Sequence, residues 1–392
     1  MFNPKAKAWY DGRKNLTSIV SSAPKNAFWF HCASLGEFDQ GLPLMNALKE
    51  KYPNTAVVVS FFSPSGKEYY QKRKNHPVDF ACYLPIDSKS NVRAFVNELS
   101  PKSCFIIKYE FWPNLLVVLH EKNIPSYSVA TLLRPNQIYF QWYGFWFRKH
   151  LKLMNHFFVQ NSETEQLLKA VGVVNISVVG DLRFDTVVQR KNQISPQNDI
   201  IEAFLQGQKA IIFGSSWREE EEILLAFKPH LNGHKIILAP HNVDEKNCER
   251  LMKQFENSAV RYTKFKAGDS SKPILILDTI GHLASAYAYG ELAVIGGGFR
   301  GQLHNILEPS VYGLPVLFGP KYEKFPEAKQ FIEAGIGFEI NSQEDFKKII
   351  WEHRNEVQIK ERVTSYVQMN TGSTDKLIMK LRELWNVNTF SK

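Results

Sequence analysis

Apolar runs alternate with amphipathic stretches along the first half of the chain. Residues 26–34, NAFWFHCAS, form an apolar run that ends in small residues, and residues 36–52, GEFDQGLPLMNALKEKY, carry the period of an amphipathic helix. The β-branched run TAVVVSFFS follows, then a helix-like segment after SPSG. DFACYLPID, SCFIIKYE, IPSYSVATLL, HFFVQNS and ISVVGDLRF supply further strands. Strands separated by helical stretches predict βαβ units and a parallel sheet. Residues 190–200, RKNQISPQNDI, are polar and poor in large apolar side chains, which predicts a linker. The pattern then restarts with KAIIFGSSW, HKIILAPH, PILILD, ELAVIGGG and LPVLFGP. Each of these runs leads into glycine, serine, proline or aspartate, where an open α/β sheet places its ligand loops. The expected architecture is α/β, with two doubly wound domains facing each other across a cleft. The domains are residues 1–190 and 201–392, joined by 191–200, and the last helix packs back on the N-terminal domain.

Size agrees with two domains, since 392 residues exceed what one core usually holds. Lysine and arginine number 48 against 39 acids, a net charge of +9. Such a balance suits nucleic acid, an anionic membrane surface or an anionic substrate. No lysine- or arginine-rich block and no zinc-finger spacing supports nucleic acid. Cys32, Cys82, Cys104 and Cys248 are scattered and match no metal spacing, as expected of reduced cytoplasmic thiols. No apolar run reaches the roughly 18 residues of a membrane span. The opening segment MFNPKAKAWYDGRKN lacks the apolar core of a signal peptide. Its Lys5, Lys7, Arg13 and Lys14 suit anionic lipid.

Candidate chemistry gathers at the strand ends. Glu37, in Ser34-Leu35-Gly36-Glu37, is either a first-turn capping carboxylate or a base that takes a proton from an acceptor hydroxyl. Lys108-Tyr109-Glu110-Phe111-Trp112-Pro113-Asn114 follows a strand and precedes a helix opened by proline. If the segment is extended, Lys108 and Glu110 share a face, as a surface ion pair or as part of the same site as Glu37. Gly214, Ser215 and Ser216 precede a helix whose first turn is acidic, which fits an anion site or an N-cap. His241, Asp278, Thr279 and Gly281 follow later strands, where structural and ligand-binding roles both remain open. Residues 291–320, ELAVIGGGFRGQLHNILEPSVYGLPVLFGP, read as strand, glycine loop, helix start and strand. There Gly297 and Gly298 would let backbone approach a phosphate, with His304, Asn305 and Glu308 at helical spacing behind them and Glu308 either directed to a ribose or a capping partner of Asn305. No G-x-x-x-x-G-K-[ST] occurs, which argues against a P-loop. Tyr139, Phe140, Trp142, Tyr143, Phe145, Trp146 and Phe147, followed by Arg148, Lys149 and His150, fit either a membrane interface or a helix–helix core.

Taken in order, these motifs resemble those of the Kdo (3-deoxy-D-manno-octulosonic acid) transferase family. The matching stretches are Ala33 to Glu37, Lys108 to Asn114, Gly180 to Asp185, Gly214 to Glu221, Asp278 to Leu283 and Gly301 to Pro309. The resemblance implies a GT-B fold of two Rossmann-like domains and transfer of Kdo from CMP-Kdo to a lipid A precursor, with no cofactor and no catalytic metal. It implies Glu37 as general base and Glu110 as a second catalytic carboxylate. Ser34, Gly36, Lys108 and Trp112 would then face the acceptor. Gly214, Ser215, Ser216, His241, Asp278, Thr279, Gly281, Gly297, Gly298, His304, Asn305 and Glu308 would face the donor. The setting implied is the cytoplasmic face of a Gram-negative inner membrane, with no nucleic-acid partner. The chain departs from the family pattern at Lys108, where a glutamate is usual, at Pro240-His241-Asn242, which lacks an arginine, at His282 and at Gln302-Leu303. Similar proteins usually carry an apolar anchoring helix ahead of a segment like NPKAKAWYDGRKN, which is expected to be missing here. A donor carrying UDP or GDP, or a nucleotide-sugar-binding protein without catalysis, are the alternative readings.

Overall fold

The structure is a computed structural model that describes the chain apart from residues 1–3, 65, 68–69, 71–75, 196, 232, 354–356 and 391–392. It divides into two compact units, Met1–Thr186 with Asn370–Lys392, and Val187–Met369.

The first unit is built on seven strands: β1 (Phe28–Cys32), β2 (Val57–Phe61), β3 (Phe80–Tyr83), β4 (Ser103–Ile107), β5 (Ser126–Thr131), β6 (His156–Val159) and β7 (Ile176–Val178). Their order is β3-β2-β1-β4-β5-β6-β7 and every pairing is parallel. β1, β2 and β4 are buried at every position, which is why they read as unbroken apolar runs rather than alternating ones. The helix Leu35–Lys51 packs across β1 and β4 and contains Pro43. Proline has no N–H for the carbonyl of Asp39, and the Thr186 hydroxyl donates to that carbonyl instead, at 3.4 Å. The helix Ser373–Phe390 returns to this unit. Trp385 stacks on Phe28, 5.8 Å between centroids, and its indole N–H donates to Tyr127 Oη at 2.9 Å. At the start of that helix Asp185 accepts from Gly372 N, Thr374 N and Thr374 Oγ1 at 2.6–2.7 Å.

The second unit carries β8 (Ala210–Ser216), β9 (Lys235–Pro240), β10 (Ala259–Arg261), β11 (Ile274–Ile276), β12 (Gly290–Ile295), β13 (Val316–Phe318) and β14 (Gly337–Glu339). Their order is β10-β11-β9-β8-β12-β13-β14, again all parallel. β10 and β14 are edge strands of three residues that the apolar pattern did not reveal. Residues 190–200 are largely helical at both ends, with one helix over Leu182–Gln193 and another over Asp199–Leu205. Among the described residues no helix is long and apolar enough to cross a membrane. All four cysteines are buried and free.

Each sheet reverses its strand order near the middle, between β1 and β4 in one and between β8 and β12 in the other. Parallel strands diverge there, and their carboxyl ends leave a crevice in which doubly wound proteins bind ligands.

Candidate functional site

In the first unit the residues at that crevice are Glu37 and Glu110. β1 ends at Cys32, Ser34 is the N-cap of the next helix, and Glu37 sits in its first turn. The Glu37 carboxylate folds back to accept from Ala33 N, so it does cap the helix. It is nonetheless 7% exposed and its pKa is raised to about 7. Burial is the largest cause, and the charge of Glu110 adds to it, while the bond from Ala33 and the charge of Lys108 oppose it. Glu110 is also raised by burial, against the indole of Trp112 and Lys108. The charge of Glu110 hinders the ionisation of Glu37, and a buried carboxylate with its pKa near 7 at a strand-end crevice is the kind of group that acid–base chemistry near neutrality needs. Gly36 is exposed, and a Cβ there would meet nothing within 4 Å, so the surface beside Glu37 is open.

The extended reading of 108–110 is corrected. Lys108 lies in the left-handed region, φ 64°, and the chain turns directly after β4. Lys108 N still donates to Val129 O at 2.7 Å, prolonging the sheet by one bond. Phe111 N to Tyr109 O and Trp112 N to Glu110 O then tighten the turn into the helix Pro113–Glu121. Lys108 and Glu110 therefore do not share a strand face, although the lysine's charge acts on both glutamates. Trp112 stacks on Phe62 at 5.2 Å, and Phe62 meets Trp9 edge-on at 5.6 Å. The Arg13 guanidinium lies 3.9 Å from the Trp9 ring centroid and donates to the carbonyls of Trp9 and Phe62, both at 2.9 Å. The side chain of Lys5 lies outside the described residues.

The aromatic segment 139–147 is not a closed helix–helix core. Trp142 is 86% exposed, and Tyr143, Phe145 and Trp146 are each about half exposed or more. Lys149 beside them is exposed.

In the second unit the expected donor residues sit at the carboxyl ends of β8, β9, β11 and β12. Ser215 is left-handed, φ 52°, where β8 kinks before the helix Arg218–Phe227. The kink brings Trp217 over His241, stacked at 4.2 Å and 19°, and the Trp217 indole N–H donates to His304 Nε2 at 3.3 Å. His241 and His304 lie 4.8 Å apart, and burial with the neighbouring His241 lowers the pKa of His304. Neutral His304 is the form that accepts the indole proton.

The glycine loop is closed on protein rather than open along its whole length. Gly297 has φ 89°, and a Cβ there would lie 2.2 Å from Gln302 O; one on Gly298 would lie 2.4 Å from Gly319 N. The Gly297 amide is already committed to Glu220 Oε1 at 3.0 Å, so it is not free for a ligand phosphate. Glu220 also accepts from Trp217 N at 2.8 Å and is fully buried. Glu221 is equally buried and bonds Arg250 and Ser216 Oγ.

His304 and Asn305 do not share a helix with Glu308. Bonds from Gln302 N to Gly297 O and from His304 N to Gly296 O fold them into the loop, and the helix spans only Leu307–Ser310. Asn305 Oδ1 accepts from Leu307 N at 3.0 Å, and Glu308 pairs with Arg190 at 2.6 Å. Asp278 has its carboxylate filled by Arg261 and by Thr263 N and Oγ1, which overcome burial and hold its pKa low. Thr279 Oγ1 is buried without a partner among the described residues, and Gly281 has φ 104°. Trp217, Glu220 and Arg300 were not in the expected set. Trp217 follows Ser216 directly at a strand end, and Glu220 stands three residues further at capping distance, which are the signals that mark them. Among the described residues no three His, Cys, Asp or Glu side chains group closely enough to hold a metal ion.

Two parallel doubly wound units with their polar groups at the strand-order reversals define a GT-B-type α/β protein. A solved UDP-GlcNAc 2-epimerase from Neisseria meningitidis bound to UDP-GlcNAc shares this fold, with a TM-score of 0.63 at 12% identity over 91% of this chain and 99% of that one. Residues 10–186 match the family model described as 3-Deoxy-D-manno-octulosonic-acid transferase (kdotransferase). Over most of its length the chain is similar to Kdo transferases. It is 28% identical to the 3-deoxy-D-manno-octulosonic acid transferase of Aquifex aeolicus (strain VF5), over 81% of this chain and 83% of that protein. It is 25% identical to a bifunctional glycosyltransferase/methyltransferase of Fusobacterium nucleatum subsp. nucleatum, over 91% of this chain but only 59% of that longer protein.

Proposed function

We propose that this protein is an inverting glycosyltransferase that transfers Kdo from CMP-Kdo to the lipid A precursor lipid IVA in lipopolysaccharide inner-core assembly. The observation that carries the reading is Glu37, a buried carboxylate at the β1–β4 reversal with its pKa raised to about 7 beside Glu110. Glu37 removes the proton of the acceptor hydroxyl as that oxygen bonds to the anomeric carbon of Kdo. The bond from that carbon to the phosphate oxygen breaks, and CMP leaves with the electron pair. Glu110 steadies positive charge on the sugar carbon and keeps Glu37 basic enough to act near pH 7. In this scheme the first unit binds the acceptor through the surface around Ser34, Gly36, Lys108 and Trp112. The second unit holds the donor at the ends of β8, β9, β11 and β12. Exposed Trp142, Tyr143, Phe145 and Trp146 next to Arg148 and Lys149 support attachment to an anionic membrane surface, the cytoplasmic face of the inner membrane.

The test is to incubate the protein with CMP-Kdo and lipid IVA and weigh the products. Mass increments of Kdo support the reading, and their absence from well-folded protein removes it. A UDP- or GDP-sugar donor is the second reading, favoured by the fold shared with a structure bound to UDP-GlcNAc. The nucleotide that raises the melting temperature separates the two. A nucleotide-sugar-binding protein without catalysis would bind CMP and give no product.

A further inference from the structure

Arg300 stands on the glycine loop directly after β12, at the strand-order reversal of the second unit. Its backbone N donates to Gly297 O at 3.1 Å, which fixes the turn that carries it. Its Nε donates to both carboxylate oxygens of Glu219, each at 2.9 Å. The guanidinium carbon lies over the Trp217 ring, 4.6 Å from its centroid, and Trp217 is itself stacked on His241 and bonded to His304. One edge and one face of the cation are thus held. Neither Nη group has a hydrogen-bond partner among the described residues. About a third of the side chain remains exposed.

A guanidinium oriented by a carboxylate on Nε and by an aromatic ring on its face keeps its two Nη groups as a planar fork. That fork matches the two oxygens of a carboxylate or a phosphate. A cation present only to neutralise Glu219 needs neither the stacking nor the free edge. We propose that Arg300 is a specificity residue that receives an oxyanion of the sugar-nucleotide donor, with Trp217 as its platform. The inference rests on the donor reading above. In CMP-Kdo the oxyanion is either the carboxylate of the sugar or the phosphate of the nucleotide, and the two are separable by experiment.

The experiment measures KM for CMP-Kdo, KM for lipid IVA, kcat and the dissociation constant of CMP for the parent protein, Arg300→Ala and Arg300→Lys. Thermal melts verify the fold of each. In Arg300→Ala the donor KM rises about tenfold or more, and the acceptor KM stays within twofold. Arg300→Lys recovers only part of the loss, because an ammonium keeps the charge without the fork. A matching rise in the CMP dissociation constant assigns the phosphate, and an unchanged one assigns the sugar carboxylate. A donor KM within twofold of the parent in Arg300→Ala overturns the inference alone. Absence of Kdo transfer by the parent protein removes the proposed function and this inference with it.

Discussion

The two strand-order reversals are built alike, and burial raises the carboxylates at both, but those carboxylates bond different parts of the chain. At β1–β4, Glu37 accepts from backbone amides at the start of its helix, is buried, and has its pKa raised to about 7 next to a second acid. At β8–β12, Glu220 is at least as deeply buried and accepts from two backbone amides, Trp217 N and Gly297 N, Glu221 bonds an arginine, and burial raises both acids against those bonds. Glu37 bonds only the start of its own helix, whereas Glu220 joins the start of one helix to the glycine loop after β12. The same residue type at equivalent places in two related sheets thus caps a helix in one unit and ties loop to helix in the other, and the proposed function gives the chemistry to the first.

The largest expected effect tests the first half of that contrast. Glu37→Gln should lower transfer by about 10²-fold or more, since losing a positioned base costs that much. The variant should also gain stability at high pH. A carboxylate whose folded pKa of about 7 exceeds its ordinary 4.5 costs the folded state progressively more as pH rises between those values. Glu37→Gln should therefore melt above the parent at pH 8 and close to it at pH 4.5; a lower melting temperature at pH 8 would contradict the burial argument. Glu220→Ala tests the other half. It leaves two backbone amides without their acceptor, at about 1–3 kcal/mol each, and denaturant unfolding should report the loss. If Glu220→Ala instead unfolds like the parent but fails in transfer, the division of roles collapses.

Glu110→Gln comes next. Transfer should fall about tenfold, and the acid limb of kcat/KM should move to lower pH, because the charge of Glu110 helps raise Glu37. A limb that stays in place would separate the two acids. The smallest effect is expected of Trp217→Phe, which keeps a ring beneath Arg300 and against His241 but loses the 3.3 Å bond to His304. The donor KM should rise only a few-fold, in line with about 1 kcal/mol for one hydrogen bond.

Much of this framework is legible in the chain because parallel strands buried on both faces announce themselves as apolar runs, as FWFHC and SCFII do. The strand ends, and hence Glu37, Glu110, Ser216, His241 and the glycine loop, follow from those runs. Short edge strands such as Ala259–Arg261 and Gly337–Glu339 bury too little to leave that mark. Local geometry was hidden where single residues reverse the chain, as Lys108 does with a positive φ that neither its type nor its neighbours announce. Long-range partners were hidden altogether. Nothing near Glu308 in sequence points to Arg190, and nothing near Arg300 points to Trp217 beneath it and Glu219 beside it.

The return of the helix Ser373–Phe390 to the first unit sets an order of events during synthesis. All of Val187–Met369 leaves the ribosome before the residues that complete the first unit's packing, so the second unit is able to fold while the first still lacks Trp385 against Phe28 and Thr374 against Asp185. Until then the amino end of β1, opposite the end that leads to Glu37, keeps the aromatic face of Phe28 uncovered. Translation arrest or proteolysis near residue 370 would leave a finished second unit attached to an unfinished first one, a product that cells meet with chaperones rather than with substrate.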